Sequence, residues 1–120
     1  MALPFAPPRR GVTYQEYLSW PEDGRRYEIL DGEVFVTPSP VQDHQHVAYH
    51  LWERVESQLR RRNEGVAYGA PLDVVLAPGV VVQPDVLAIR RENVRIVKKK
   101  AVRGAPDLAI EVLSPGTKTR

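Results

Sequence analysis

Two acidic residues stand where an acid is costly. Asp85 follows Pro84 and leads into Val86-Leu87-Ala88-Ile89, and Glu111 lies inside Leu108-Ala109-Ile110-Glu111-Val112-Leu113. A carboxylate in so apolar a strand is unfavourable unless it is paired or bound to a metal. Side chains alternate along a strand, so Ala109, Glu111 and Leu113 share one face, and the small Ala109 leaves room beside Glu111. Two carboxylates converging from neighbouring strands make a hard-oxygen site suited to Mg²⁺ or Mn²⁺. Such an ion polarises a phosphate and activates water. A plainer reading stays open, in which each acid is structural, paired with an arginine or capping a strand end. Pro106-Asp107 repeats the proline–aspartate pair, and Asp107 falls on the face of Glu111. The two are four residues apart, however, or roughly 13 Å along a strand, too far to share one ion. Asp85 is the better partner, and Asp107 is expected to cap its strand or pair with a basic neighbour.

Other residue types carry less. His46 and His50 share a helix face at i, i+4, with His44 nearby, but no third ligand stands at a zinc spacing and the chain has no cysteine. Solvated histidines are the expectation. Tyr14, Tyr17, Tyr27, Tyr49 and Tyr68 could stack on bases, although packing accounts for most tyrosines. No nucleophile-elbow, P-loop or dinucleotide fingerprint is present.

The elements that must hold Asp85 and Glu111 can be read in chain order. Residues 1–12 are proline-rich and read as a flexible arm. Thr13-Tyr14-Gln15-Glu16 is a capping box that starts a short helix ended by Pro21. Arg25 to Leu30 reads as a strand with Tyr27 and Ile29 on one face, Asp31-Gly32 as a hairpin turn, and Glu33 to Thr37 as the returning strand. Ser39-Pro40-Val41-Gln42 opens a long helix expected to reach about Asn63, with Gly65 as its stop. Val47, Leu51, Val55 and Leu59, beside Ala48 and Trp52, form its core-facing stripe. Apolar runs at Leu72 to Leu76, Val80 to Ile89 and Asp107 to Val112 predict strands, with Pro84 marking a bulge or edge in the second. Arg90 to Gly104 reads as a charged connection with one helical turn. The order predicts a mixed α/β fold, a mixed sheet with helices packed on it.

The totals exclude several classes. The 120 residues suffice for one domain, and 42% hydrophobic with 27% charged residues is a globular balance that excludes disorder throughout. The absence of cysteine excludes disulfides and thiolate metal sites and fits a reducing cytoplasm. No apolar run approaches the length of a membrane span. A net charge of +2 is a mild bias toward polyanions. Its distribution is more pointed: Arg60 to Arg62, the stretch around Lys98, Lys99 and Lys100, and Lys118 with Arg120 are candidate phosphate contacts.

A family resemblance joins these pieces. Tyr27-Glu28-Ile29-Leu30-Asp31-Gly32-Glu33, Pro38-Ser39-Pro40 with His44 downstream, Val82-Gln83-Pro84-Asp85-Val86, and Gly104-Ala105-Pro106-Asp107-Leu108 leading into Glu111-Val112-Leu113-Ser114-Pro115 together resemble the Uma family of bacterial endonucleases in the PD-(D/E)XK superfamily. The resemblance implies a restriction-endonuclease-like domain over residues 13–120, a mixed sheet flanked by helices. It implies Mg²⁺- or Mn²⁺-dependent endonuclease cleavage of nucleic acid, DNA before RNA. By the same resemblance Asp85 and Glu111 bind the metal, Glu28 completes the acidic cluster, and His44 matches a histidine at the start of the long helix. Two departures stand out. Leu113 occupies the lysine position of the acid-x-lysine motif, and Lys118 is the nearest replacement. The family's C-terminal helix and strand are not expected within these residues. The alternative is a catalytically inactive nuclease fold that binds nucleic acid or dimerises, and an exposed sheet edge makes a homodimer the expected assembly.

Overall fold

The computed structural model describes residues 5–8, 10–37 and 42–113. The hydroxyl of Thr13 accepts the Glu16 N–H at 3.3 Å and starts α1 (Tyr14–Tyr17), a single turn. β1 (Arg26–Leu30) and β2 (Glu33–Thr37) form the antiparallel hairpin read from Asp31-Gly32. Both turn residues take positive φ, 51° and 79°, as a type I′ turn requires.

The long helix is α2 (Gln42–Arg62). Its proposed capping box at Ser39 lies outside the described residues. Asn63, not Gly65, takes the left-handed conformation that ends it, at φ 52°. Gly65 instead opens β3 (Gly65–Gly69), where it permits close approach: a Cβ there would collide with the carbonyl oxygen of Ile89. His44, Ala48, Leu51, Trp52, Val55 and Leu59 are among the partly buried positions of α2, whereas Val47, expected in this stripe, is 46% exposed.

The remaining elements are β4 (Asp73–Ala77), β5 (Val80–Val82), β6 (Val86–Arg90), a 3-10 segment (Arg91–Ile96), β7 (Ala101–Arg103) and β8 (Leu108–Ile110). They form two sheets. One runs β2-β1-β5-β4-β7, antiparallel except for the parallel pair β4–β7, and the other runs β3-β6-β8, antiparallel throughout. The apolar run Val80 to Ile89 is therefore two strands in different sheets, parted at Gln83-Pro84-Asp85. The charged connection after Arg90 contains the expected helical turn and also β7.

Alternation explains the layers. Ile29, Val75, Val81 and Ala101 point to one face of the larger sheet, where Val12 and Tyr14 cover them. Val74 and Val102 point to the other and meet Leu87 and Ile89 of the smaller sheet. The outer face of the smaller sheet carries small residues, Ala67 and Ala88, and α2 packs there, with the Trp52 indole N–H donating to the Ala67 carbonyl at 3.0 Å. Among the described residues no helix is long and apolar enough to cross a membrane.

Candidate functional site

The antiparallel register of β6 and β8 places the two key acids. Val86 pairs with Ile110, so Asp85, one residue before, and Glu111, one residue after, flank the last rung of the ladder at the same end. Glu111 thus lies just past its strand, not inside it, and its side chain is exposed. Asp85 is 4% exposed and sits on the segment that crosses between the sheets.

Three groups hold the Asp85 carboxylate. The backbone N–H of Val112 donates to Oδ2 at 2.7 Å, which ties the acid to the chain beside Glu111. His44 Nε2 stands 3.2 Å from the same oxygen, and Arg26 Nη1 stands 3.4 Å from Oδ1. The Val112 bond has the length of a strong charge-assisted hydrogen bond, whereas the Arg26 contact is longer than the usual 2.7–2.9 Å or so. His44 Nδ1 is buried without a hydrogen-bond partner among the described residues.

A polar chain extends from Arg26. Its Nη2 donates to the Gln83 carbonyl at 2.6 Å and its Nε to Gln83 Oε1 at 3.4 Å. Gln83, 6% exposed, donates from Nε2 to Asp73 Oδ1 at 2.7 Å and from its backbone N to Glu28 Oε2 at 2.8 Å. Tyr17 also donates to Asp73, at 3.4 Å. Burial, and then the Asp73 carboxylate, push the Tyr17 hydroxyl well above its ordinary range, so it stays a donor. Glu28, assigned by resemblance, therefore reaches the backbone two residues before Asp85.

Asp85, Arg26 and His44 line a cleft of about 490 Å³ together with Tyr49, Trp52 and Pro71. Lys98, Lys99 and Lys100 are exposed between the 3-10 segment and β7, and Lys100 lines a neighbouring cleft of about 650 Å³ that shares Arg26. Lys118 lies outside the described residues. Asp107 stands apart from Asp85: it accepts the Arg90 N–H at 2.7 Å and the Asn93 amide at 3.0 Å. Those bonds, the Arg90 one first, hold its carboxyl below the usual range. His46 and His50 are exposed and contact each other, Nε2 to Nε2, at 3.0 Å. Among the tyrosines, Tyr14 is buried, Tyr17 and Tyr27 pack edge-on against Trp20, and Tyr49 is 58% exposed. Arg26, Gln83 and Asp73 were not singled out from the sequence. The one local signal was alternation along β1, which puts Arg26 on the face of Glu28.

The donor set suits a hard divalent ion. The described residues contain no cluster of three or more His, Cys, Asp or Glu placed to hold a metal. Mg²⁺ does not require one, because it keeps several waters and is commonly bound through one or two carboxylates together with substrate phosphate. Asp85 and Glu111 supply two carboxylates at one end of the β6–β8 ladder, and the contact of Asp85 Oδ1 with Arg26 is a long one.

Two sheets with a long helix flanking the smaller one define a mixed α/β fold. Residues 14–120 match the Uma2 family, described as "Putative restriction endonuclease", and the chain belongs to that family. It is similar over 90% of its length, at 20% identity and a TM-score of 0.73, to a crystal structure from Anabaena variabilis described as "a putative nuclease belonging to DUF820". The chain spans 62% of that protein's length. No curated protein compared with the chain matches it.

Proposed function

We propose that this chain carries the acidic centre of a metal-dependent endonuclease that hydrolyses phosphodiester bonds in DNA. The observation that supports this most directly is the β6–β8 register, which brings Asp85 and Glu111 to one end of the ladder, with the Val112 N–H bound to Asp85. Asp85 and Glu111 would hold Mg²⁺ or Mn²⁺, which supplies Lewis acidity toward the phosphate and an activated water. The remaining work belongs to the protein. Val112 and His44 orient the Asp85 carboxylate, and Glu28 fixes the Gln83 backbone that leads into it. Lys98 to Lys100 offer exposed charge to neighbouring phosphates. The family setting supports a cytoplasmic protein, and a homodimer would cover the edge strand β2, where Phe35 and Val36 are exposed.

One observation favours a second reading. Arg26 and His44 both face Asp85, as partners of a purely structural acid would. The chain would then bind nucleic acid in a salt-sensitive manner without cutting it. Nicking of supercoiled plasmid with Mg²⁺ or Mn²⁺ separates the two. Asp85→Asn and Glu111→Gln are each expected to slow cleavage about a hundredfold or more. Equal cleavage by wild type and both variants removes the nuclease reading.

A further inference from the structure

Hydrolysis at this site has an electrostatic difficulty. Water adds to phosphorus through its oxygen and one P–O ester bond breaks. One water proton ends on the leaving oxygen and the other on the phosphomonoester. Negative charge grows on the phosphoryl oxygens beside two carboxylates, so a fixed cation is needed there. Two positions after Glu111 stands Leu113, apolar and 65% exposed, which cannot supply it.

We propose, resting on the nuclease reading above, that Arg26 is a catalytic residue whose guanidinium binds the scissile phosphate. Among the described residues lining the cleft with Asp85, Arg26 is the one that carries a permanent positive charge. Its placement is rigid. Nη2 is bound to the Gln83 carbonyl at 2.6 Å, and Gln83 is itself held by Asp73 and Glu28. A guanidinium has five N–H donors. Three are engaged here, one each on Nε, Nη1 and Nη2. One hydrogen on each terminal nitrogen therefore has no partner among the described residues, and together they make a two-pronged donor suited to two phosphoryl oxygens. The 3.4 Å separation from Asp85 Oδ1 leaves the charge beside the acid without spending it in a tight pair. Arg26 supplies charge and hydrogen bonds and transfers no proton.

The test uses Arg26→Gln, Arg26→Lys and Asp85→Asn. The first readout is binding of a fluorescein-labelled single-stranded oligonucleotide in EDTA across a KCl series. Loss of one direct phosphate contact lowers the slope of log affinity against log salt by about 0.7, a change that a residue merely bracing Asp85 would not produce. Arg26→Gln is expected to show that drop, and Arg26→Lys to keep the wild-type slope. The second readout is Mn²⁺-dependent cleavage. Arg26→Gln is expected to lose about a hundredfold in kcat, with partial rescue by added guanidinium ion and no such rescue of Asp85→Asn. An unchanged slope, or wild-type cleavage by Arg26→Gln while Asp85→Asn is inactive, overturns the role of Arg26 and leaves the nuclease reading intact. No cleavage by wild type overturns both. If Arg26→Gln does not fold, Arg26→Met carries both readouts: the same drop in slope with a tenfold or greater fall in kcat (about 1.4 kcal/mol) supports the role, and an unchanged slope or wild-type kcat overturns it.

Discussion

Gln83→Leu tests whether the polar chain behind Asp85 acts as a unit. Leucine keeps nearly the same volume and leaves both backbone bonds of residue 83 in place, the N–H to Glu28 and the carbonyl to Arg26. What disappears is the 2.7 Å bond to the Asp73 carboxylate, a long 3.5 Å bond to the Tyr17 hydroxyl and the long acceptor contact with Arg26 Nε. A hydrogen bond to a charged group contributes roughly 1.5–3 kcal/mol, and a long contact much less. Asp73 is only partly buried and keeps the Tyr17 hydroxyl, so water recovers part of the loss. The expected cost is about 2 kcal/mol, or roughly 8 °C in Tm for a domain of this size. Urea unfolding followed by far-UV circular dichroism measures it, and a double-mutant cycle with Asp73→Ala isolates the pair. A coupling energy of about 1 kcal/mol or more is expected. A coupling within about 0.3 kcal/mol of zero would refute the claim that Gln83 and Asp73 form one network.

Two further outcomes follow from geometry elsewhere. Gly65→Ala drives a methyl into the Ile89 carbonyl and is expected to cost about 1–3 kcal/mol, whereas a Cβ at Gly69 on the same strand meets only the Asp85 carbonyl oxygen at 3.8 Å, and Gly69→Ala is the near-neutral control in the same urea assay. The depressed Asp107 carboxyl stabilises the fold above the unfolded-state value, near pH 4 or so, and this contribution is lost as pH falls through the lower native value. The Tm advantage of wild type over Asp107→Asn, measured from pH 6 to pH 2, should therefore shrink on acidification, and a constant difference would contradict the assignment.

How legible these features were depended on how local their causes are. Asp31-Gly32 announced its hairpin because positive φ at two adjacent positions is a property of the turn residues themselves. The helix stop was misplaced by two residues because Gly65 answers to a contact with Ile89, far along the chain. β3, with glycine at both ends, has little intrinsic strand preference, and β7 is three residues inside a charged run held by parallel pairing with β4. Neither could be seen without its partner. Asp85 and Glu111 stood out because each breaks an apolar run; β6 and β8 do pair, but Asp85 precedes β6 and Glu111 follows β8, so neither acid lies within a strand. Arg26, Gln83 and Asp73 are ordinary polar residues in sequence, and only the approach of β1, β4 and the crossing segment gives them a common purpose.

The crossing at Gln83-Pro84-Asp85 has a mechanical consequence. Asp85 belongs to neither sheet, and its three holders sit on separate bodies: Arg26 on β1 of the larger sheet, His44 on α2, and Val112 at the end of the smaller sheet. The carboxylate can be aimed no more steadily than those bodies are clamped together. Val74 and Val102 pressed against Leu87 and Ile89 clamp the two sheets, and α2 is held separately on β3 and β6, so residues remote from any reacting atom govern how far the acid can wander.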